Sequence, residues 1–164
     1  MTENDGSREQ TVCFTGHREI RRSDVAERLD ALIAGLYLKG YRIYLAGGAL
    51  GFDTEAALAV LRAREKHLRI ELRLVLPFPG QSANWSGEQR AVYEDIKRKA
   101  ASVTYTSLKY TRGCYHTRNR ALVDGAGLCV AYLVKRSGGT AYTVDYARRQ
   151  GLAVINVAQL QGGE

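Results

Sequence analysis

Glycine, hydroxyl and basic residues gather at five places in this sequence: "TGHR" (15–18), "AGGALGFD" (46–53), "FPGQSANW" (78–85), "YHTRNR" (115–120) and "SGGT" (137–140). In the second, Gly47, Gly48 and Gly51 follow a β-like run and precede an Ala/Leu-rich one, with Asp53 close behind. Glycine lets backbone N–H groups approach a ligand without interference from a Cβ. A helix start adds unpaired donors and a positive dipole. The chemistry on offer is phosphate binding by the amides of Gly47, Gly48, Ala49 and Gly51. The plain alternative is a tight turn that packs helix against strand. The Gly-Gly-x-x-Gly-x-Asp spacing is neither the dinucleotide fingerprint nor the P-loop. Asp53 either caps the helix or holds a sugar hydroxyl.

"SGGT" repeats the same logic after a later strand, with Gly138, Gly139 and the Thr140 hydroxyl as donors. Ser and Thr there also serve as ordinary N-caps. In "TGHR", Thr15 ends a strand, Gly16 lets the chain turn, and His17 and Arg18 follow. Arginine suits bidentate phosphate contact, or is simply a surface charge. In "YHTRNR", His116 and Arg120 share a helix face by their i,i+4 spacing, and Arg118 and Asn119 lie between them. Arg118 and Arg120 point in different directions, so one of the two is expected in solvent. Trp85 either stacks a base or packs as a staple ahead of Ser86.

These stretches need a scaffold that presents them together. Short apolar runs (11–16, 41–46, 70–78, 102–107, 127–134, 153–157) alternate with amphipathic ones (23–40, 53–67, 86–100, 115–126, 139–151). In the first helix Val25, Leu29, Leu32, Ile33, Leu36 and Tyr37 recur at helical spacing, with Ser23 expected to cap its start and Gly40 its end. Ser86 and Gln89 form a capping-box pattern. Strict alternation predicts an α/β fold, a Rossmann-like, doubly wound, mainly parallel sheet in three α/β/α layers. In such sheets ligands bind beyond the carboxyl ends of the strands, where all five stretches fall.

The chain has 164 residues, 45% hydrophobic and 25% charged, which suits one domain, expected at residues 11–160. No apolar run reaches the roughly 18–20 residues of a membrane span. "MTENDGSREQ" is polar and lacks the apolar run of a signal peptide. Residues 1–10 are therefore expected to be a disordered lead-in, and the location cytoplasmic. A net charge of +7 permits an anionic partner, although many lysines and arginines fall on solvated helix faces. Cys13, Cys114 and Cys129 form no paired metal motif, and the three histidines have no metal-ligand spacing. No metal site is expected. Cys13 and Cys129 read as core residues, and Cys114 as part of a polar loop. No serine sits on a nucleophile elbow.

Taken together, "TGHR", "LAGGALGFDTEAA", "NW…Y", "RNRALVD" and "GGTAYTVDYA" resemble the YpsA-like branch of the SLOG superfamily, named for the Smf/DprA and LOG proteins. The resemblance covers residues 11–157. It implies a domain that binds a nucleotide-derived ligand, such as ADP-ribose, NAD or an AMP-like species, as a sensor or regulator. It also implies a homo-oligomer, and no certain cofactor beyond that phosphorylated ligand.

Two further readings come with the superfamily. "HTRNR" is similar to the His-x-Arg-Lys segment of LOG-type phosphoribohydrolases, which cleave the N-glycosidic bond of a nucleoside monophosphate. That likeness implies Arg118 and Asp145 as a catalytic pair. Asp145 is one methylene shorter than the glutamate of those enzymes, and catalytic groups demand close placement. The likeness of "AGGALGFD" and "GTAYTVDYARRQG" to DprA proteins implies single-stranded DNA binding. The aromatic–basic interleaving that suits single strands is confined to "KYTRGCYHTR" (109–118).

Overall fold

A computed structural model describes residues 8–159. Six strands, β1 (Thr11–Gly16), β2 (Ile43–Ala46), β3 (Glu71–Leu76), β4 (Ser102–Tyr105), β5 (Leu128–Tyr132) and β6 (Ala153–Asn156), form one sheet in the order β4-β3-β2-β1-β5-β6. Every pairing is parallel. Five helices connect the strands: α1 (Val25–Leu38), α2 (Phe52–Lys66), α3 (Gly87–Lys99), α4 (Cys114–Asp124) and α5 (Gly139–Arg149). The doubly wound α/β fold expected from the alternation is the fold observed. Most of the lead-in expected at residues 1–10 lies outside the described residues. Within them, the Gln10 carbonyl accepts from the amides of Arg42 and Ile43.

The two faces of the sheet bury different side chains. Val12, Phe14, Tyr44, Leu72, Leu74 and Leu76 pack with Leu29 and Ile33 of α1, Ala56 and Val60 of α2, and Tyr93 and Ile96 of α3. Cys13, Leu45 and Cys129 pack with Leu122 and Val123 of α4 and Ala147 of α5. β1 and β5 are covered on both sides, which explains why they read as unbroken apolar runs. β4 is a largely exposed edge strand.

Helix ends follow local chemistry, with one correction. Gly40, at φ +102°, closes α1 in a Schellman motif: its amide donates to Tyr37 O and that of Tyr41 to Leu36 O. Ser86 and Gln89 make the reciprocal capping box at α3, at 3.0 and 3.1 Å. Ser23 does not cap α1. The N-cap is Asp24, whose carboxylate is held by the guanidinium groups of Arg22 and Arg28 instead of a backbone amide. Cys114 is also corrected. It opens α4 and is buried, because the helix starts one residue earlier than the sequence pattern suggests.

The strand order reverses between β1 and β5, which pair in register from Val12↔Leu128 to Gly16↔Tyr132. Connections from these two strands leave in opposite directions and open a crevice at their carboxyl ends. Among the described residues, no helix is long and apolar enough to cross a membrane.

Candidate functional site

A cavity of about 250 Å³ occupies the β1/β5 switch point. Thr15, Gly16, His17 and Arg18 line it from the end of β1, Ala49 and Asp53 from the turn into α2, Arg118 and Asn119 from α4, and Gly139 and Thr140 from α5. Phe14, Tyr115 and Leu122 complete the wall. Phe14 and Leu122 are buried core residues, and sequence reasoning singled out neither for the site. Tyr115 sits three residues before Arg118, a spacing that places both on one face of α4.

The turn at 46–53 is filled by the protein itself. A Cβ on Gly47 would lie 2.8 Å from Arg118 Nη1 and 3.0 Å from Asp53 Oδ2. Gly48, at φ +75°, backs onto Leu76, Gln81 and Tyr93, and Gly51, at φ +81°, onto the backbone of Arg18. The Asp53 carboxylate accepts the Ala49 amide at 3.1 Å. Phe52 N donates to His17 O at 3.1 Å. The start of α2 thus carries an internal carboxylate and an internal carbonyl where a phosphate was expected. Gly47, Gly48 and Gly51 do not line the cavity; they let Arg118, Leu76 and the Arg18 backbone come close.

Arg118 is 4% exposed, and its guanidinium donates to the Gly47 carbonyl and, at 2.8 Å, to Asn119 Oδ1. Burial lowers its pKa, and the Asp53 carboxylate opposes that shift. Burial likewise raises the pKa of Asp53, with Arg118, the Ala49 amide and Arg18 pulling the other way. Arg18 differs from Arg118. It is exposed, and its guanidinium has no hydrogen-bond or ion-pair partner among the described residues. One cation is spent on holding the turn; the other is free at the cavity mouth.

The start of α5 is open. Gly138, its N-cap, takes φ +99° and ψ −174°, a region essentially restricted to glycine. No side chain caps the helix, so its first amides remain as donors. Thr15 and Thr140 are 6% and 8% exposed, and neither hydroxyl has a partner among the described residues. His17 ties the two loops together: its Nε2 accepts from the amides of Val134 (3.0 Å) and Lys135 (3.2 Å). The ring is therefore neutral with its proton on Nδ1. Burial and then the charge of Lys135 lower its pKa.

Three expected residues stand apart. Trp85 packs edge-on against Tyr93, centroids 5.0 Å apart, against the core. His116 packs edge-on against Tyr142 at 4.3 Å. Asp145 does not line the cavity; its carboxylate, 69% exposed, pairs with Arg149 at 3.1 Å. Arg120 reaches Tyr142 Oη at 2.9 Å. Among the described residues, no cluster of His, Cys, Asp or Glu could hold a metal ion.

The sequence matches the YpsA family, described as the YspA SLOG family, over residues 6–156. A UPF0398 protein of Halalkalibacterium halodurans is 27% identical over 129 residues, 77% of this chain and 68% of that protein. The fold is similar to that of DNA processing protein A (DprA) from Streptococcus pneumoniae, with a TM-score of 0.66 at 18% identity. That superposition covers 92% of this chain but only 50% of the pneumococcal one, so this chain spans about half its length. DprA from Helicobacter pylori, in a structure described for its single-stranded DNA binding mode, gives a TM-score of 0.66 at 16% identity, covering 94% of this chain and 67% of that one.

Proposed function

The chain belongs to the YpsA family of SLOG domains, and on that premise we propose that it binds a nucleotide-derived ligand at the β1/β5 cavity, as a sensor or regulatory domain. The observation that carries this reading is the pairing of an open α5 N-terminus with an unpartnered Arg18 around one cavity. Backbone donors and a guanidinium together suit a phosphate. The free hydroxyls of Thr15 and Thr140 suit a sugar or the remaining phosphate oxygens. Arg118 contributes charge from behind while fixing the turn.

A thermal-shift panel with AMP, NAD, ADP-ribose and cyclic nucleotides tests the reading. A ligand at 100 times its Kd adds about 2.7 kcal/mol of stability. Arg18→Ala should abolish the shift without lowering the unliganded Tm. A flat panel would count against small-nucleotide binding. A flat panel together with salt-dependent retention of single-stranded oligonucleotides would replace it with nucleic-acid binding.

A further inference from the structure

The cavity is small for a whole nucleotide. Ligand pockets usually measure about 300–1,000 Å³, and this one measures about 250 Å³. If it holds a phosphate and sugar, the third part of the ligand lies outside it. Two neighbours compete for that part. Beyond Arg18 is a hollow of about 510 Å³ walled by Leu50, Thr54, Glu55, Glu88 and Val92, with no aromatic ring. On the other side, Tyr115 continues into an aromatic cluster.

That cluster joins three segments. Phe78, from the loop after β3, packs edge-on against Tyr110 (5.8 Å, 79°) and Tyr115 (6.1 Å, 74°). Tyr110 and Tyr115 lie 6.4 Å apart. Tyr115 faces both ways: it lines the cavity and sits under the Arg118 guanidinium at 5.9 Å. Tyr110 is 62% exposed although Phe78 holds it from one side. Exposed Lys109 and Arg112 flank it in the same loop. A large aromatic ring held by its neighbours and left open to water, with basic residues beside it and in contact with Tyr115 of the cavity wall, suits a flat π-system carrying phosphate.

We infer that Tyr110, braced by Phe78 against Tyr115, is the stacking platform for the base of the cavity's ligand. This rests on the phosphate reading of the cavity and makes the ligand class a nucleotide rather than a sugar phosphate. Stacking is tolerant of base identity because every base has a π-face, so the platform sets class and not sequence. The acidic hollow beyond Arg18 offers no such face.

Isothermal titration of the purified full chain with AMP and with ribose 5-phosphate separates the two parts. Wild type should bind AMP about tenfold tighter than ribose 5-phosphate. Tyr110→Ala should remove that difference, and Tyr110→Trp should restore it, with ribose 5-phosphate binding the same in all three. Equal affinities for the two ligands in wild type, or AMP affinity unmoved by Tyr110→Ala, would overturn the platform while leaving the cavity reading intact. A Tyr110→Ala variant that loses both ligands equally would also overturn it. No binding of either compound to wild type would sink the cavity reading together with the platform.

Discussion

Arg118 occupies the space where a side chain on Gly47 would begin: its guanidinium donates to the Gly47 carbonyl, and Nη1 lies 2.8 Å from that missing Cβ. The arginine gives glycine a packing role there that needs no ligand. Gly47→Ala should therefore cost stability even in the apo protein. Overpacking in a filled interior costs about 1–3 kcal/mol. Urea unfolding of the ligand-free chain checks it, and an unchanged midpoint would return Gly47 to the ligand.

Gly138 and Gly139 should respond differently to alanine. Neither replacement meets a close neighbour; the nearest atom to a Cβ on Gly139 is Asn119 Nδ2 at 3.9 Å. Only Gly138 has a positive φ, +99°. Gly138→Ala should lose about 1–3 kcal/mol through backbone strain. Gly139→Ala should stay within about 0.5 kcal/mol of wild type, as surface changes usually do. Thermal melts of the pair make the comparison, and equal losses would contradict it.

His17 should make the chain acid-sensitive. Its folded pKa lies below the ordinary 6.5 because burial and Lys135 disfavour the cation. Between the folded and unfolded values, the unfolded chain holds the extra proton. Stability from this group is thus complete above about 6.5 and is lost as pH falls towards the folded pKa. Protonating Nε2 also breaks the bonds from Val134 and Lys135. An NMR titration should show Nε2 unprotonated at neutral pH and an apparent pKa under 6.5; a value at or above 6.5 would refute the latch.

Asp145 should be dispensable. It is exposed and bound only to Arg149 one turn away, and such pairs contribute about 0.3–0.5 kcal/mol. Asp145→Asn should leave both Tm and ligand affinity within error of wild type. Incubation of wild type with AMP should release no adenine. Release that Asp145→Asn abolishes would instead establish the phosphoribohydrolase chemistry.

The elements were legible because their signals are local. The spacing of Val25, Leu29, Ile33 and Leu36 declares an amphipathic helix, and the unbroken apolar run of β5 declares a strand covered on both faces. The Ser86–Gln89 box and the Gly40 stop depend on residues no more than five apart. Strand–helix alternation then leaves few topologies, and it places the loops that follow the strands, 46–53 and 137–140 among them, at one sheet edge.

The glycines of 46–53 were legible as a turn but not as to purpose. Phosphate cradles and tight protein packing both call for a missing Cβ. Which applies depends on what occupies the space, and here the occupants come from elsewhere in the chain: Arg118 behind Gly47, Leu76 behind Gly48, the Arg18 backbone behind Gly51. The same holds for the two arginines. Residue type offers a guanidinium at 18 and at 118, while burial decides that Arg118 holds the turn and Arg18 stays free. Sequence alone determined the α/β fold, the edge of the sheet where binding groups collect and the residue types gathered there, because these follow from short-range periodicity and turn chemistry. Tertiary structure alone decided what surrounds the two helix starts: His17 O accepts the first amide of α2 and the Asp53 carboxylate the Ala49 amide just before it, while Gly138 and Gly139 at α5 have no side chain packed closely on them, because that depends on how distant segments pack.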